Sequence, residues 1–145
     1  MWTYEHTFRA QASPAEIWRL VSDVTTWPRW DAGTERMELD GPFAVGTTGR
    51  MHLVGQGALP FTLVEVEPER LFTDVTDLGD VVVRFEHHFS PLPGGTGTEL
   101  RHRVVLTGNA PDEQLAAIGE AITEDVPRTM AALAELAMAS GSAVV

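Results

Sequence analysis

The alternation of apolar and polar side chains predicts seven β-strands along the chain. In the first, residues 2–10, every second side chain from Trp2 to Ala10 lies on one face. The other strands are expected at 35–39, 46–54, 61–67, 70–76, 81–90 and 96–107, each bounded by Gly, Pro or Asp. Because turn signals recur at intervals of about 8–12 residues, the pattern favours one continuous antiparallel meander.

A helical period replaces this alternation over the segment Pro111–Ala139. Its first proline and the acids that follow mark a helix start, and Ser140-Gly141 marks the stop. Pro127 lies inside the segment, so we expect a kink or a short break near Thr123–Val126. A helix of this length must bury its apolar stripe, and the sheet is the only large partner available. The stripe consists of Leu115, Ile118, Ile122, Val126, Met130, Leu133 and Leu136.

Two short helices are predicted between the first and second strands. Ser13 and Glu16 have the spacing of a capping box, with a proline at the first helical position. Asp23 is expected to cap a second short helix, which contains Trp27 and Trp30. Two tryptophans so close together are read as packing anchors, with a binding cage as the alternative.

Composition narrows the classes of function. A length of 145 residues favours one domain. The net charge is -11 and all basic residues are arginine, which argues against nucleic acid and against an anionic membrane surface as partners. The absence of cysteine excludes disulfides and cysteine chemistry. With no apolar run long enough to span a membrane and no signal-peptide pattern at the N-terminus, we expect a cytoplasmic protein, monomeric or homodimeric.

Motifs spread over the whole chain share their order and spacing with one known family. They are the segments 13–18, 22–24 and 27–31, the strand start at 46–47, the corner at 66–71, the loop at 94–96 and the strand end at 106–108. Together they resemble the polyketide cyclase/dehydrase-like family of the START-like (Bet v 1-like, SRPBCC) superfamily. The resemblance implies a single START-like domain over residues 1–145. It also implies an α+β helix-grip fold: a seven-stranded antiparallel sheet curved around a long C-terminal helix, with two short helices after strand 1.

The same resemblance implies a protein that binds a hydrophobic or aromatic small molecule in a cavity between sheet and helix. It leaves the activity open, because the superfamily includes aromatic cyclases, lipid and hormone carriers, and chaperone co-activators. An enzyme of this kind would carry out an aldol-type cyclisation and dehydration. The alternatives are a non-catalytic carrier or sensor and a protein-interaction module. No cofactor and no metal are expected.

Three histidines fall on the apolar faces of strands that this fold makes adjacent: His6, His87 and His102. The expected hairpin pairs His87 with Leu100 and Phe85 with His102, so His87 and His102 become diagonal neighbours about 7–8 Å apart at Cα. Histidine titrates near neutral pH and can act as acid, base or hydrogen-bond donor, which makes these three the catalytic candidates. The default alternative is a structural role, and no pair has a recognised metal-binding spacing.

The apolar faces of strands and helix together define the expected ligand-binding pocket. His52 is expected outside it, and Arg50 and Arg84 would face a ligand only if the strand register differed. The position of Glu65 is ambiguous. The predicted lining residues are Tyr4, Phe8, Met37, Met51, Leu63, Phe85, His87, Leu100, His102, Val104, Ile118, Ile122, Val126 and Met130.

Overall fold

Seven antiparallel strands form one sheet in the order β1-β7-β6-β5-β4-β3-β2. The computed structural model describes the backbone of residues 1–142 and the side chains of residues 1–139. All seven predicted strands are present, which confirms the α+β helix-grip architecture. Their bounds are β1 Trp2–Ala10, β2 Thr34–Leu39, β3 Thr48–Leu53, β4 Gly57–Glu67, β5 Leu71–Asp77, β6 Val81–Pro91 and β7 Thr98–Gly108.

Short helices follow β1, as predicted. The capping box is confirmed: the Ser13 hydroxyl accepts from the Glu16 backbone N–H at 3.2 Å, and the Ser13 N–H donates to the Glu16 carboxylate at 3.1 Å. The Asp23 carboxylate accepts from the Thr25 N–H at 3.1 Å and caps the next turn. The helical segments here are α1 Pro14–Val21, a 3-10 turn Val24–Thr26 and α2 Trp27–Trp30.

The two tryptophans of α2 are packing anchors. Trp27 and Trp30 are 4% and 5% exposed, and their ring centroids lie 4.8 Å apart. The Trp27 indole N–H donates to the Val21 carbonyl at 2.9 Å. Because both faces of the pair are covered by protein, the pair fixes the segment between β1 and β2 on the core.

The C-terminal helix is broken where the proline predicted a break. It consists of α3 Asp112–Thr123 and α4 Val126–Ser142. Pro127 occupies the first turn of α4, where a backbone N–H has no intrahelical acceptor, so the missing donor costs nothing there. The predicted stop at Ser140-Gly141 is wrong, because α4 continues to Ser142. A glycine inside a helix costs only about 1 kcal/mol and does not end it by itself.

The face that α3 buries differs from the predicted stripe. The buried residues are Leu115, Gly119 and Thr123. Ile122 is 44% exposed, so the prediction that it lines a pocket is wrong. The Trp2 ring lies where a Cβ on Gly119 would be, and this close contact turns the glycine side of α3 towards the sheet.

A bulge in β4 decides the orientation of Glu65. The pairing of β4 with β5 shifts between Leu63 and Glu65, which inserts one extra residue into β4. Leu63 faces the core and is 1% exposed, whereas Glu65 reaches the outer face. There its carboxylate accepts from the Thr73 hydroxyl at 2.9 Å and pairs with Arg84.

Candidate functional site

The three candidate histidines form one row across the concave face of the sheet. His102 on β7 lies directly opposite His6 on β1 and directly opposite His87 on β6. The rings of His87 and His102 have centroids 4.7 Å apart and are inclined by 74°. We call these three residues the histidine row.

The predicted register of the β6–β7 hairpin is wrong by two residues. His87 opposes His102 instead of Leu100, and Phe85 opposes Val104 instead of His102. A shift of two residues keeps every side chain on its original face, which is why the inward orientation of the histidines was still predicted correctly.

Contacts at the start of β7 set this register. The Thr98 hydroxyl is buried and donates to the Ala12 carbonyl at 2.8 Å. Thr98 also lies opposite Ala10 on one side and Pro91 on the other. The contact with Ala12 joins residues 86 positions apart in the chain, so the turn sequence alone did not reveal it.

His87 is held between two aromatic rings. Its ring stacks on Phe72 with centroids 3.9 Å apart and on Phe85 with centroids 4.3 Å apart. Its Nδ1 lies 3.3 Å from the Phe72 carbonyl oxygen. At 6% exposure the ring is therefore fixed in place by stacking and by a backbone hydrogen bond.

His102 is more deeply buried and less well satisfied. It is 3% exposed, and its Nε2 has no hydrogen-bond partner among the described residues. Its ring meets Phe85 edge-on with centroids 5.6 Å apart. A buried polar atom without a partner is uncommon in folded proteins and calls for an explanation.

Burial keeps both imidazoles neutral near pH 7. It lowers the pKa of His102 to about 3, and the charges that His6 and His88 would carry act in the same direction. Burial and the neighbouring His102 lower the pKa of His87 well below its ordinary value. Each ring therefore offers one N–H donor and one nitrogen acceptor rather than a positive charge.

Asp74 on β5 lies beside the row and was not predicted from the sequence. Phe72 is the β5 residue directly opposite His87, and Asp74 is the next inward residue along the strand, opposite Phe85. The Oδ2 of Asp74 lies 3.9 Å from the Nδ1 of His87, and the Asp74 side chain is 15% exposed. Burial raises the pKa of this carboxyl to about 7, although a hydrogen bond from its own backbone N–H opposes the shift. The carboxyl therefore changes its protonation state close to neutral pH.

The signal for Asp74 was present but ambiguous. In β5, Phe72 and Asp74 share one face and Thr73 and Val75 share the other, so neither face is purely apolar. The burial of Phe72, its stacking on His87 and the pairing of Asp74 with the buried Leu63 identify the face of Asp74 as the inner one.

The histidine row lies between two apolar clusters of the core. One contains Phe89 and Leu100, and the other contains Val104 and Leu106. Along β6 and β7, His87 and His102 occupy the positions between these clusters. The row is thus a polar strip across an otherwise apolar interior.

The other predicted polar candidates lie outside this interior. Arg50 pairs with Glu38 at 3.2 Å, and Arg84 pairs with Glu65 and with Glu86 on the outer face. His52 lies 2.5 Å from Glu38, which agrees with its predicted outward position. Neither arginine is placed to contact a ligand in the interior.

The remaining predicted lining residues are inside the fold to different degrees. Their role in binding a ligand stays a prediction. The buried ones are Met37, Leu63, Leu100, Val104, Val126 and Met130. The partly buried ones that pack against the core are Tyr4, Phe8, Met51, Phe85 and Ile118.

Two grooves that are open to solvent lie away from the histidine row. One, of about 500 Å³, is lined by Glu67, Arg70, His88 and Arg101 among others, and the second, of about 170 Å³, lies between α2 and α4. In the part of the chain that is described, no three His, Asp or Glu side chains converge as metal ligands. Neither groove has a residue of the histidine row in its lining.

A family model decides the relationship of this chain to known proteins. The model described as polyketide cyclase / dehydrase and lipid transport matches residues 1–138. The chain belongs to this family. The membership confirms the resemblance to the polyketide cyclase/dehydrase-like proteins of the SRPBCC superfamily. No curated protein matches the sequence.

Solved structures share the polyketide cyclase/dehydrase fold at low sequence identity. Protein MLL2253 from Mesorhizobium loti is 22% identical with a TM-score of 0.73, covering 93% of this chain and 96% of its own. Norcoclaurine synthase from Thalictrum flavum, solved with dopamine and hydroxybenzaldehyde, is 18% identical with a TM-score of 0.71, covering 94% and 86%. The di-domain ARO/CYC BexL of the BE-7585A biosynthetic pathway is 20% identical with a TM-score of 0.76, covering 93% of this chain and 46% of its own.

The remaining expectations concern membrane spans, cellular location, oligomeric state and partners. Within residues 1–142, none of the helices has the combination of length and hydrophobicity that crossing a membrane requires. The cytoplasmic location, the monomeric or homodimeric state and the absence of a nucleic-acid partner stay predictions.

Proposed function

We propose that this protein binds an apolar, ring-containing small molecule through one oxygen atom of that molecule, held at the histidine row. The observation that carries the proposal is the unpartnered Nε2 of His102. Leaving such an atom buried and unpaired costs about 1–3 kcal/mol. A ligand oxygen at this position would remove that cost.

The neutral state of His102 limits the chemistry of the ligand. An uncharged Nε2 donates to a carbonyl oxygen in one tautomer and accepts from a hydroxyl in the other. It offers no positive charge to a carboxylate or phosphate. The expected ligand is therefore a ketone, an aldehyde or a phenol rather than an anion.

The walls around the row favour a flat ring. Phe72 and Phe85 stack on the two sides of His87, and Trp27 lies 6.5 Å from the same ring between centroids. Aromatic side chains in such numbers offer both faces and edges to an aromatic ligand. The family description and the aromatic compounds bound to norcoclaurine synthase support this choice.

Three bicyclic compounds test the proposal: naphthalene, β-naphthol and β-tetralone. We expect calorimetric titration to show that at least one oxygen-bearing compound binds about tenfold more tightly than naphthalene, since one hydrogen bond of about 1.4 kcal/mol has that effect. In His102→Phe this preference should vanish while naphthalene still binds.

His88→Phe is the matched control, because His88 lies on the outer face beside Glu86. It should leave the preference for oxygen unchanged. If none of the three compounds binds, or if His102→Phe retains the wild-type preference, the proposed function is wrong.

A further inference from the structure

We infer that Asp74 acts as a base that removes a proton from the carbon next to the carbonyl of a bound ketone, with His87 positioning the carboxyl and His102 holding the ketone oxygen. The inference rests on the proposed function, because it needs a ligand at the histidine row. It adds an activity, enolisation of a ketone, and assigns Asp74 as its catalytic residue.

The first support is geometric. Nδ1 of His87 lies 3.9 Å from Asp74 and 3.3 Å from the Phe72 carbonyl, and stacking by Phe72 and Phe85 fixes the plane of the ring. A 180° flip of the ring would keep both stacks but would break the contact between Nδ1 and the Phe72 carbonyl, so this contact keeps Nδ1 on the side of the carboxyl. At 3.9 Å the two groups are beyond hydrogen-bond distance, so the ring limits the positions of the carboxyl as a fixed neighbour rather than as a hydrogen-bond partner.

The second support is the charge around Asp74. Its cross-strand neighbours are Leu63 on β4 and Phe85 on β6, and neither is charged. In the described part of the chain the one basic side chain within 4 Å of its carboxyl is His87, 3.9 Å away, and His87 is neutral near pH 7. An acid without a compensating cation keeps its affinity for a proton, and burial accordingly raises the pKa of Asp74 to about 7.

The spacing across the sheet fits one ligand between Asp74 and His102. β5 and β7 are two strands apart, with β6 between them, and Asp74 is level with Val104, two residues along β7 from His102. Strand spacings of about 4.8 Å and a rise of about 3.3 Å per residue therefore separate the Cα atoms of Asp74 and His102 by about 12 Å. In a ketone the oxygen and the adjacent carbon are about 2.4 Å apart by standard bond lengths. Adding a contact of about 3 Å at each end gives about 8 Å, which side chains leaning over His87 can accommodate.

The step balances without a co-reactant. The C–H bond breaks, its proton moves to the Asp74 carboxylate, and its electron pair forms a C=C bond as the carbonyl becomes an enolate oxygen. The Nε2–H of His102 donates to that oxygen, where negative charge develops. Return of a proton from Asp74 to carbon regenerates the ketone, and exchange of Asp74 with solvent replaces the proton by a deuteron in D2O.

The test follows loss of the α-proton signal of β-tetralone by NMR in D2O. We expect the wild-type protein to accelerate exchange over buffer, with a rate that rises as pH passes about 7, where Asp74 loses its proton. Asp74→Asn keeps the shape of the side chain and should slow the catalysed exchange about 100-fold. The control variant Asp77→Asn, at the exposed end of the same strand, should catalyse exchange of the β-tetralone protons at the wild-type rate.

Measurements of β-tetralone binding distinguish a failure of the proposed enolisation from a failure of the proposed binding function. Asp74→Asn should bind β-tetralone as the wild type does, because His102 is intact. His87→Phe should move the midpoint of the pH profile, which a purely structural role would leave in place. If β-tetralone binds but exchange is unaffected by Asp74→Asn, the activity is wrong and the binding function stands. If none of the bicyclic compounds binds, both are wrong.

Discussion

His87 and His88 are neighbours in β6, yet they lie in opposite environments. His88 points to the outer face, where its Nε2 lies 2.9 Å from the Glu86 carboxylate, and Arg84 and Arg103 contact the same carboxylate. His87 points inward and meets aromatic rings and an uncompensated carboxyl, Asp74. A histidine on one side of β6 is thus surrounded by paired charges, whereas a histidine on the other side is buried among aromatic rings.

Glu86 on the outer face is paired with oppositely charged side chains, whereas Asp74 on the inner face has no such partner among the described residues. Burial alone would raise the pKa of Glu86, but the hydrogen bonds from His88 and Arg84 and the charges of Arg103 and Arg84 together lower the pKa. For Asp74 burial raises the pKa, with no arginine to oppose it. Paired charges on a surface are ordinary structure, whereas unpaired polar groups in a core point to a site. Four experiments test this contrast, ordered from the largest expected effect.

Phe72→Ala should give the largest loss of stability. Phe72 is 1% exposed and packs on His87, Trp18 and Phe43, so its removal should lower the free energy of unfolding by about 3–5 kcal/mol. Leu71→Ala, on the opposite face of β5, is the control and should cost less than about 1.5 kcal/mol. Equal losses in urea denaturation would contradict the contrast between the two faces.

The dependence of stability on pH should come from the inner groups between pH 5 and 6.5. His87 and His102 have lowered pKa values, so their contribution is present above their ordinary value of 6.5 and is lost as the pH falls. Asp74 has a raised pKa, so its contribution is lost as the pH rises from 3.8 to about 7. Two histidines against one carboxyl leave stability rising with pH by about 1.4 kcal/mol per unit.

Substitution should change that slope in a defined way. In His102→Phe one histidine balances one carboxyl, so stability should be nearly constant over this range. In Asp74→Asn the slope should double. Glu86 has a lowered pKa, and its contribution is lost only as the pH falls below its ordinary value of 4.5. Glu86→Gln should therefore leave the slope between pH 5 and 6.5 unchanged. A changed slope would mean that part of the pH dependence comes from the outer face.

At pH 7, His102→Phe should stabilise the protein by about 1–3 kcal/mol, because it removes a buried atom without a partner. His88→Phe should not stabilise it, since it removes a hydrogen bond to Glu86 on the outer face. Thermal unfolding of both variants measures the difference. A destabilised His102→Phe would mean that the imidazole has a partner that the contacts do not reveal.

The smallest effect is expected for the outer pair of Arg84 and Glu65. Both side chains are about 40% exposed, so the double-mutant cycle of Arg84→Ala and Glu65→Ala should give a coupling energy of about 0.2–1 kcal/mol. The coupling should fall further at high salt. A coupling above about 2 kcal/mol would show that the outer ion pairs hold the sheet together more strongly than exposed pairs do.

The sequence by itself determined the features whose causes lie within a few residues. The capping box at Ser13 needs only the residue three positions later, and the helix break before Pro127 needs only the missing N–H and the ring of proline. The face of each histidine followed from the period of two along a strand. These rules predicted the seven strands and the inward orientation of the three histidines.

Only the tertiary structure decided which of these residues meet. A strand can slip by two residues without changing its faces, so the pairing of His87 with His102 depended on distant contacts around Thr98. The bulge that turns Glu65 outward and leaves Asp74 uncompensated also arises between strands. Whether a buried polar atom is satisfied depends on every neighbour that the fold brings near it. The unpartnered Nε2 of His102 is therefore a property of the packed interior and has no signature in the sequence.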